Sequence, residues 1–551
     1  MNFKAVFSIL FCCYGIVAKS NLYAQIKLTH PLTRAVYQRN QSNEATLYIA
    51  GSYAQKTTKI EARAIARPMT PSQGTSTAWT TIKTNPSGGL FYGSLIVKGG
   101  WYNIQVRAWR DTTLVGKDSI ERVGVGEVFV IAGQSNACGV EDIRLQGNYG
   151  PQANDDRVSF VNYINWWDAG YYDIMLPMPV FQHADSTSRI APFGISAWCW
   201  GAFGDLLTNR LNVPVAFFNA ARSSTAIETW SSTANDPGYS PPYFIYLPPG
   251  MPYGNLRLAL NFYAAQFGVR AVLWHQGESD NITSTSREDY AIRLNNVIKK
   301  SRLHSNKPNL TWVVSRATRF KGLGIPYSRS WQPVLDAQND VIGLHGVHRL
   351  GYTPNVLPGP ETDAYIGPHL RDNDDVHFKG QGHYLLARLW NEALNDDFFR
   401  NVQPYPALAL PEVTTKCSSA NTLIYSTPAN FVQSLWTSNN EATNYLAGDS
   451  NYMVSSGSYR VRLKDVYGNT LITARHTVPS TFEGMFTAKS NQTGTWNQSS
   501  TWSCGRIPSV FDDVTISKGH TVSIPSNTSA SYASLQLEGS LIFATASILK
   551  D

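Results

Sequence analysis

The chain has 551 residues, of which 43% are hydrophobic and 15% charged, and a formal net charge of +7 at pH 7. This length exceeds what one hydrophobic core usually organises, and the sparse charge with many aromatic residues excludes a disordered chain. The positive charge is spread without basic runs, which argues against a nucleic-acid partner. We therefore expect three or four folded domains that are rich in β-structure.

Residues 1–24 are typical of a secretory signal peptide. Lys4 provides the positive start, Ala5–Ala18 the apolar stretch and Leu22-Tyr23-Ala24 a cleavage signal. The apolar stretch has about 14 residues, fewer than the ~20 that cross a bilayer, and no other segment is apolar enough. The sequence thus predicts a protein that is secreted or associated with the cell surface, without a membrane span.

The four cysteines that remain after cleavage are Cys138, Cys199, Cys417 and Cys504. An even number in an exported protein permits disulfides, but so few in a chain of this length do not make a disulfide scaffold. Cys138 and Cys199 would lie in one domain and are therefore a candidate pair, although the sequence does not establish the pairing.

Four segments follow the signal peptide. Residues 25–120 contain short alternating runs separated by turn-forming clusters, which predicts an N-terminal β-sandwich domain. Residues 121–405 have a different, mixed pattern, and the Pro-rich stretch 403–411 indicates a linker. Residues 412–479 return to short strands, and residues 480–551 form a Trp-rich β module. The chain stops soon after a strand-like run, so this last module could be incomplete.

Between residues 121 and 405, apolar runs alternate with stretches of helical periodicity. The predicted strands are 128–132, 215–219, 271–274 and 310–314, and the predicted helices are 203–211, 256–266, 287–301 and 380–394. This alternation predicts an α/β fold with right-handed crossovers and a parallel sheet. In such folds ligands bind at the carboxyl ends of the strands.

A serine motif follows the first predicted strand, with the sequence Gly133-Gln134-Ser135-Asn136. The glycine permits a sharp turn, and the serine would begin a helix, where free N–H groups favour developing negative charge. This is the placement that an acyl-transfer nucleophile needs. Roughly 240 residues later the chain carries Asp374-Asp375-Val376-His377, an Asp-x-x-His pair of the kind that completes a Ser-His-Asp triad.

Two further polar stretches, 219–225 and 274–280, follow the second and third predicted strands. Together with the serine and Asp-x-x-His motifs they resemble the four sequence blocks of the SGNH hydrolases. The resemblance covers roughly residues 120–400 and is closest to the sialate O-acetylesterase-like branch, which includes acetylxylan esterases. It implies a three-layer domain with a parallel sheet and a serine esterase that works without a cofactor. The alternating segments outside this range predict N-terminal and C-terminal β-sandwich-like modules that flank the domain. The histidines lack a convincing ligand pattern, so we expect no catalytic metal.

By this resemblance Ser135 is the nucleophile, His377 the base and Asp374 the residue that orients the histidine. Asp375 competes for the last role, and the family spacing favours Asp374. An oxyanion hole would consist of the backbone N–H of Ser135, an N–H from the turn at Ser223, and the side chain of Gln276.

The turn at Ser223 departs from the family pattern, because it usually carries two glycines and here reads Ser223-Ser224. A serine takes a positive φ less cheaply than a glycine, so the shape of the turn is open. Four further residues are expected to support the site or to lie near the substrate: Gln134, Asn136, Glu278 and Arg222. We expect Glu278 to hold the Gln276 loop rather than to act as a base.

The accessory modules carry weaker signals. Residues 412–479 resemble immunoglobulin-like domains of secreted bacterial enzymes, and residues 480–551 resemble Trp-rich modules of large bacterial surface proteins. Trp436, Trp496 and Trp502 could stack on sugars if they are exposed, whereas tryptophans of a β-sandwich core are the simpler interpretation.

The sequence therefore predicts a secreted bacterial carbohydrate O-acetylesterase that acts on an acetylated glycan through an acyl-enzyme intermediate. The alternative is a glycan-binding or adhesion protein built on an inactive hydrolase domain, motivated by Ser223-Ser224 and the accessory modules. A lipase or peptidase with the same triad is a third hypothesis. The glycan, the position of the acetyl group and the oligomeric state are not readable from the sequence.

Overall fold

The computed structural model describes residues 26–69, 71–139, 150–165, 175–241, 247–321 and 328–551. The predicted signal peptide, residues 1–24, lies outside these ranges. No helix within them is both long enough and apolar enough to cross a membrane.

The N-terminal part contains two sheets that share one core. Its strands are β1 (Ile26–His30), β2 (Val36–Gln38), β3 (Glu44–Tyr53), β4 (Lys59–Ala66), β5 (Thr80–Thr84), β6 (Leu90–Lys98), β7 (Gly100–Arg110) and β8 (Thr113–Gly133). β1, β3 and β6 form one antiparallel sheet, while β5, β4, β7 and β8 pair antiparallel in the second. Alternate residues of both sheets, such as Leu47 and Ile104, are fully buried in the core between the two sheets. This is the period-2 pattern of half-buried strands.

The central part is an α/β domain. Its further strands are β9 (Val158–Val161), β10 (Phe181–His183), β11 (Val215–Asn219), β12 (Ala271–His275), β13 (Thr311–Arg316) and β14 (Val356–Glu361). The strand order is β10-β9-β11-β8-β12-β13-β14, and every pair is parallel except β10 with β9. The predicted α/β class is confirmed.

Helices cover both faces of this sheet. They are α1 (Ser135–Cys138), α2 (Trp200–Leu211), α3 (Ile227–Asn235), α4 (Tyr253–Leu258), α5 (Ala264–Phe267), α6 (Glu278–Ile282), α7 (Arg287–His304), α8 (Gln332–Ile342), α9 (Gln381–Ala393) and α10 (Asp396–Asn401). A π-helical segment, Ala259–Tyr263, joins α4 to α5. Val130 and Ile131 of β8 are both fully buried but belong to different core clusters, because successive side chains point to opposite faces.

β8 is 21 residues long and takes part in two sheets. Its first half pairs antiparallel with β7, and its second half lies parallel to β11 and β12. The predicted boundary between residues 120 and 121 falls inside this strand. The serine motif is consequently a direct continuation of a strand that starts in the N-terminal sheet.

Residues 412–479 contain two antiparallel sheets. Their strands are β15 (Thr414–Ser419), β16 (Thr422–Ser426), β17 (Gln433–Thr437), β18 (Tyr445–Ala447), β19 (Asn451–Val454), β20 (Gly457–Lys464), β21 (Thr470–Ile472) and β22 (His476–Val478). The two sheets share a core around Trp436, which is fully buried. The core also includes Leu90 and Tyr92 of β6, so this module packs directly on the N-terminal part.

Residues 480–551 are not β-sandwich-like, which corrects the prediction for this module. Their strands are β23 (Ala488–Lys489), β24 (Gly494–Thr495), β25 (Asp513–Ile516), β26 (Thr521–Ile524), β27 (Ser529–Ser531), β28 (Ser534–Leu537), β29 (Ser540–Phe543) and β30 (Ile548–Lys550). All pairs are parallel and join strands of successive turns of the chain, in the stacks β23-β25-β28, β24-β26-β29 and β27-β30. The module is therefore a short three-sided β-solenoid, whose turns bury a common apolar interior.

The two C-terminal modules are joined by a disulfide between Cys417 and Cys504. The candidate pair Cys138–Cys199 is wrong, since both thiols are free and buried, one in α1 and one directly before α2. Trp496 and Trp502 are 2% and 0% exposed. Together with the buried Trp436 they are core residues, so the hypothesis that they stack on sugars is wrong.

A buried carboxylate holds the start of the central strands. Glu127 on β8 is fully buried and pairs with Arg270 at 2.7 Å and with Arg39 at 2.8 Å. Burial would raise the pKa of Glu127, but the two guanidinium groups outweigh this effect and lower it. Gln38 donates a third hydrogen bond at 3.0 Å. The network ties the segment around β2 to the central sheet.

Replacing Glu127 by alanine should strongly destabilise the protein, because two guanidinium groups would lose their partner and Arg270 would stay buried. We expect a loss of about 3–5 kcal/mol in the free energy of unfolding, measured by urea denaturation. The matched control is Glu361→Ala, whose side chain is 71% exposed in its pair with Arg316. It should cost less than about 1 kcal/mol, and equal losses in the two variants would contradict the interpretation.

Candidate active site

The serine motif forms a sharp turn between β8 and α1. Gly133 has a φ of +129°, and a Cβ at this position would lie 2.0 Å from the carbonyl oxygen of His275 on β12. Only glycine permits this close approach of the two strands. Ser135 is the first residue of α1, so helical hydrogen bonding leaves its backbone N–H free.

The structure brings Ser135, His377 and Asp374 together, although the serine and histidine are 242 positions apart. Nε2 of His377 lies 2.9 Å from Oγ of Ser135, and Nδ1 lies 2.5 Å from Oδ2 of Asp374. Oδ1 of Asp374 accepts the backbone N–H groups of Val376 and His377 at 2.8 and 3.0 Å. These contacts fix the imidazole with one nitrogen on the carboxylate and the other on the hydroxyl.

The carboxylate of Asp374 is held in its charged form. Burial by itself would raise the pKa of Asp374, but the hydrogen bond and charge of His377 and the two backbone N–H groups lower it to about 2. Asp375, the competing residue, has a φ of +60° and accepts a hydrogen bond from Ser328 at 2.5 Å. Its carboxylate therefore does not orient the histidine.

Asn136 connects the serine turn to the histidine loop. Its amide nitrogen donates to Glu278 at 2.8 Å and to the carbonyl oxygen of Val376 at 3.2 Å, and its oxygen accepts the N–H of Phe378 at 3.2 Å. Glu278 is buried and also lies 3.5 Å from Nε2 of His275. Glu278 thus holds Asn136 and also contacts His275, the residue directly before Gln276.

The side chain of Gln276 is not an oxyanion donor in this arrangement. It is fully buried, and its amide nitrogen donates to Asp280 at 2.5 Å, to the carbonyl oxygen of Thr225 at 3.1 Å and to Gln134 at 3.2 Å. Its oxygen accepts from Tyr290 at 2.9 Å. Because all its polar atoms are engaged below the pocket, the predicted role is wrong.

The two serines of the second polar stretch face different surroundings. Ser223 lies beside the thiol of Cys138; burial raises the pKa of this thiol, and Ser223 has the smaller, opposite effect. Ser224 instead lines the pocket beside Ser135, with a φ of +61°. The turn therefore keeps a left-handed residue without a glycine, and the residue at the pocket is Ser224 rather than the predicted Ser223. Among the described residues, no backbone group or side chain accepts the N–H of Ser224.

The pocket beside the triad has a volume of about 170 Å³. It is lined by Gln134, Ser135, Ser224, Ser279, Ile282, Thr283, Phe320, Val376 and His377. Sequence patterns do not mark the wall residues. Ile282 and Thr283 could have been found by extending the helix that starts at Glu278, whereas no sequence signal points to Phe320.

Of the other residues predicted near the substrate, Arg222 is set back from the pocket and Gln134 lines it. Arg222 packs its guanidinium 4.6 Å from the ring centroid of Phe193, and its backbone N–H donates to the carbonyl oxygen of Gly133. Gln134 does line the pocket, and its side-chain oxygen accepts the N–H of Ser279 at 3.0 Å. Within the described ranges, no three His, Cys, Asp or Glu side chains are grouped so as to hold a metal ion.

Residues 125–348 match the model of a family described as carbohydrate esterase, sialic acid-specific acetylesterase. The match confirms the resemblance of this part of the chain to the sialate O-acetylesterase-like branch. No curated protein sequence matches the chain.

Several solved structures are similar. A carbohydrate acetylesterase from Xanthomonas citri is 15% identical, with 82% of this chain and 97% of that chain covered and a TM-score of 0.40. A protein from Arabidopsis thaliana is 17% identical, with coverages of 50% and 98% and a TM-score of 0.30. A salicylyl-acyltransferase from a tetracycline biosynthetic pathway is 11% identical, with coverages of 64% and 78% and a TM-score of 0.29.

Replacing Asp374 and Asp375 by asparagine, one at a time, should distinguish the roles of the two carboxylates. Asp374→Asn removes the charge that holds His377, and we expect kcat/KM for an aryl acetate to fall about ten-thousandfold. Asp375→Asn is the matched control, because asparagine tolerates the left-handed backbone and only the bond to Ser328 changes. It should cost less than about tenfold, since one such hydrogen bond is worth ~1 kcal/mol. The reverse order of effects would contradict the assignment.

Glycine should replace Ser224 without loss of activity. At a φ of +61° a non-glycine residue is strained, so Ser224→Gly should leave kcat/KM within about twofold and raise the free energy of unfolding by up to ~1 kcal/mol. The measurements are aryl acetate hydrolysis and urea denaturation. A large drop in kcat would show that the hydroxyl, and not the backbone, of Ser224 is required.

Proposed function

We propose that the protein is a carbohydrate O-acetylesterase that removes acetyl groups from a glycan through Ser135, His377 and Asp374. The observation that carries the proposal is the chain of contacts from Asp374 through His377 to Ser135, at 2.5 and 2.9 Å, beside an open pocket. The match of residues 125–348 to a carbohydrate esterase family model supports the choice of an acetylated sugar as substrate.

In the first half of the reaction, Oγ of Ser135 attacks the carbonyl carbon of the acetyl ester while Nε2 of His377 takes the hydroxyl proton. The negative charge that develops on the carbonyl oxygen is stabilised by backbone N–H groups. Ser135 and Ser224 line the pocket, and in the described part of the chain nothing accepts their N–H groups. Each such donor contributes ~3 kcal/mol in related sites. The C–O bond to the sugar then breaks, and His377 returns the proton to the leaving sugar oxygen.

In the second half, a water molecule attacks the acetyl-serine. His377 accepts one proton of the water, the tetrahedral intermediate collapses to acetic acid, and the proton goes back to Oγ of Ser135. Asp374 stays ionised throughout and stabilises the imidazolium that forms in each half. The small pocket volume of about 170 Å³ suits a short acyl group.

We further propose that the protein acts outside the cytoplasm, because residues 1–24 have the pattern of a signal peptide. The competing function is a glycan-binding protein on an inactive hydrolase domain. Two features motivated this alternative, the Ser223-Ser224 turn and the accessory modules. Both arguments are weakened, because Ser224 adopts the left-handed conformation without a glycine and the three accessory tryptophans are buried.

The decisive test combines turnover with labelling of the serine. The full chain should release acetate from acetylated xylan or from acetylated sialic acid, and a fluorophosphonate probe should label Ser135. Ser135→Ala should abolish labelling and lower turnover at least about ten-thousandfold with an unchanged circular dichroism spectrum.

The matched control is Ser328→Ala, a serine that contacts Asp375 and lies outside the triad. It should keep both labelling and turnover. Absence of labelling in the wild-type protein, together with no hydrolysis of aryl acetates, would overturn the proposal and favour the inactive-hydrolase alternative.

A further inference from the structure

One face of the N-terminal sheet carries a row of basic and aromatic side chains. Arg63 of β4 is opposite Gln105 of β7, which is opposite Ser119 of β8. One step along the strands, Arg107 of β7 is opposite Lys117 of β8. Residues at paired positions point to the same face of a sheet, so these five side chains share one surface.

An indole ring covers one part of this surface. The ring of Trp79 lies 4.4 Å from the guanidinium carbon of Arg63 and 4.2 Å from that of Arg107. The loop that carries Trp79 is anchored to β4, because Thr77 exchanges two hydrogen bonds with the backbone of Ala64. The aromatic ring and the two guanidinium groups are therefore positioned before any ligand arrives.

The surface borders a cavity of about 620 Å³, lined by Arg63, Trp79, Gln105, Val106, Arg107, Leu114, Lys117, Asp118 and Ser119. Three of these residues are cationic and one is anionic. The carboxylate of Asp118 is already paired with Lys27 at 3.3 Å and with the N–H of Leu28. The cavity consequently presents an excess of positive charge.

Not all of this charge is neutralised by neighbouring residues. Arg107 pairs with Glu61 at 2.6 Å. Arg63 donates through Nε to Gln105 at 2.8 Å, and in the part of the chain that the structure describes no carboxylate forms an ion pair with Arg63 or Lys117. A planar guanidinium with a free edge matches a carboxylate, with which it forms two parallel hydrogen bonds.

We propose that this cavity binds an anionic polysaccharide, a glycan chain that carries carboxylates such as those of uronic acids. Arg63 and Lys117 would hold the carboxylates, Gln105 the hydroxyl groups, and Trp79 the apolar side of a sugar ring. The open face of a sheet suits a chain better than a small molecule. Among anionic ligands we choose a glycan because residues 125–348 match a carbohydrate esterase family model, so this choice rests on the proposed function. The residues that line the cavity lie outside that range.

The test is binding of the full chain to oligogalacturonate, measured by isothermal titration calorimetry. Neutral xylo-oligosaccharide should bind much more weakly, and raising the salt concentration should weaken the binding of oligogalacturonate. Arg63→Gln and Lys117→Gln should each raise Kd about tenfold, the effect of one charge-assisted hydrogen bond. Lys518→Gln, which removes an equal charge from an exposed turn of the solenoid, should leave Kd unchanged.

All three variants should hydrolyse an aryl acetate at the wild-type rate. The experiment therefore measures glycan binding at the basic surface independently of esterase activity. No binding by the wild-type protein, or equal Kd values for wild type and both Arg63→Gln and Lys117→Gln, would overturn the proposal. Equally tight binding of polyglutamate or single-stranded DNA would also overturn it, because the surface would then recognise charge alone. Lys117 is exposed, so its variant remains informative if Arg63→Gln does not fold.

Discussion

The hydrogen bonds of the Asn136 side chain determine the geometry of the site. Asn136 follows Ser135 directly. Its side-chain amide is hydrogen-bonded to the backbone of Val376 and Phe378, the two neighbours of His377. One side chain thus sets the separation between a hydroxyl and an imidazole that are far apart in sequence. The contact with Glu278 places the amide itself, and this carboxylate is held in turn against His275.

Beneath the pocket lies a layer of buried polar side chains that satisfy one another. Gln276 donates to Asp280 and Gln134, and Asp280 also accepts from Thr285 and from the N–H of Ile227. Burial raises the pKa of Asp280 to about 6, although these hydrogen bonds favour its charged form. A buried network of this kind is stable only when it is complete, and it then holds the pocket rigid. Rigid donors need no reorganisation as charge develops in the reaction.

The sequence predicted the sheet, the serine turn and the Asp-x-x-His pair because each is encoded locally, by an apolar run, a glycine or a fixed spacing. It did not separate Ser223 from Ser224, since which serine reaches the pocket depends on one left-handed φ. The sequence also assigned the wrong role to Gln276. Its side chain is held by buried partners elsewhere in the chain, such as Tyr290, and not by the oxyanion position. The solenoid was missed because parallel pairing between successive turns leaves little trace in so short a stretch.

The length of β8 bears on the ligand of the basic surface. Lys117 lies near one end of this strand and Gly133 at the other, and at about 3.3 Å per residue they are up to about 50 Å apart. At a separation near this upper limit, a short oligosaccharide would not contact the basic surface and Ser135 together. Only a long chain could be held at one end of the strand while its acetyl groups are presented at the other, and holding it there would raise the local concentration of ester near Ser135. This geometry favours a polymer over a monosaccharide as the natural ligand.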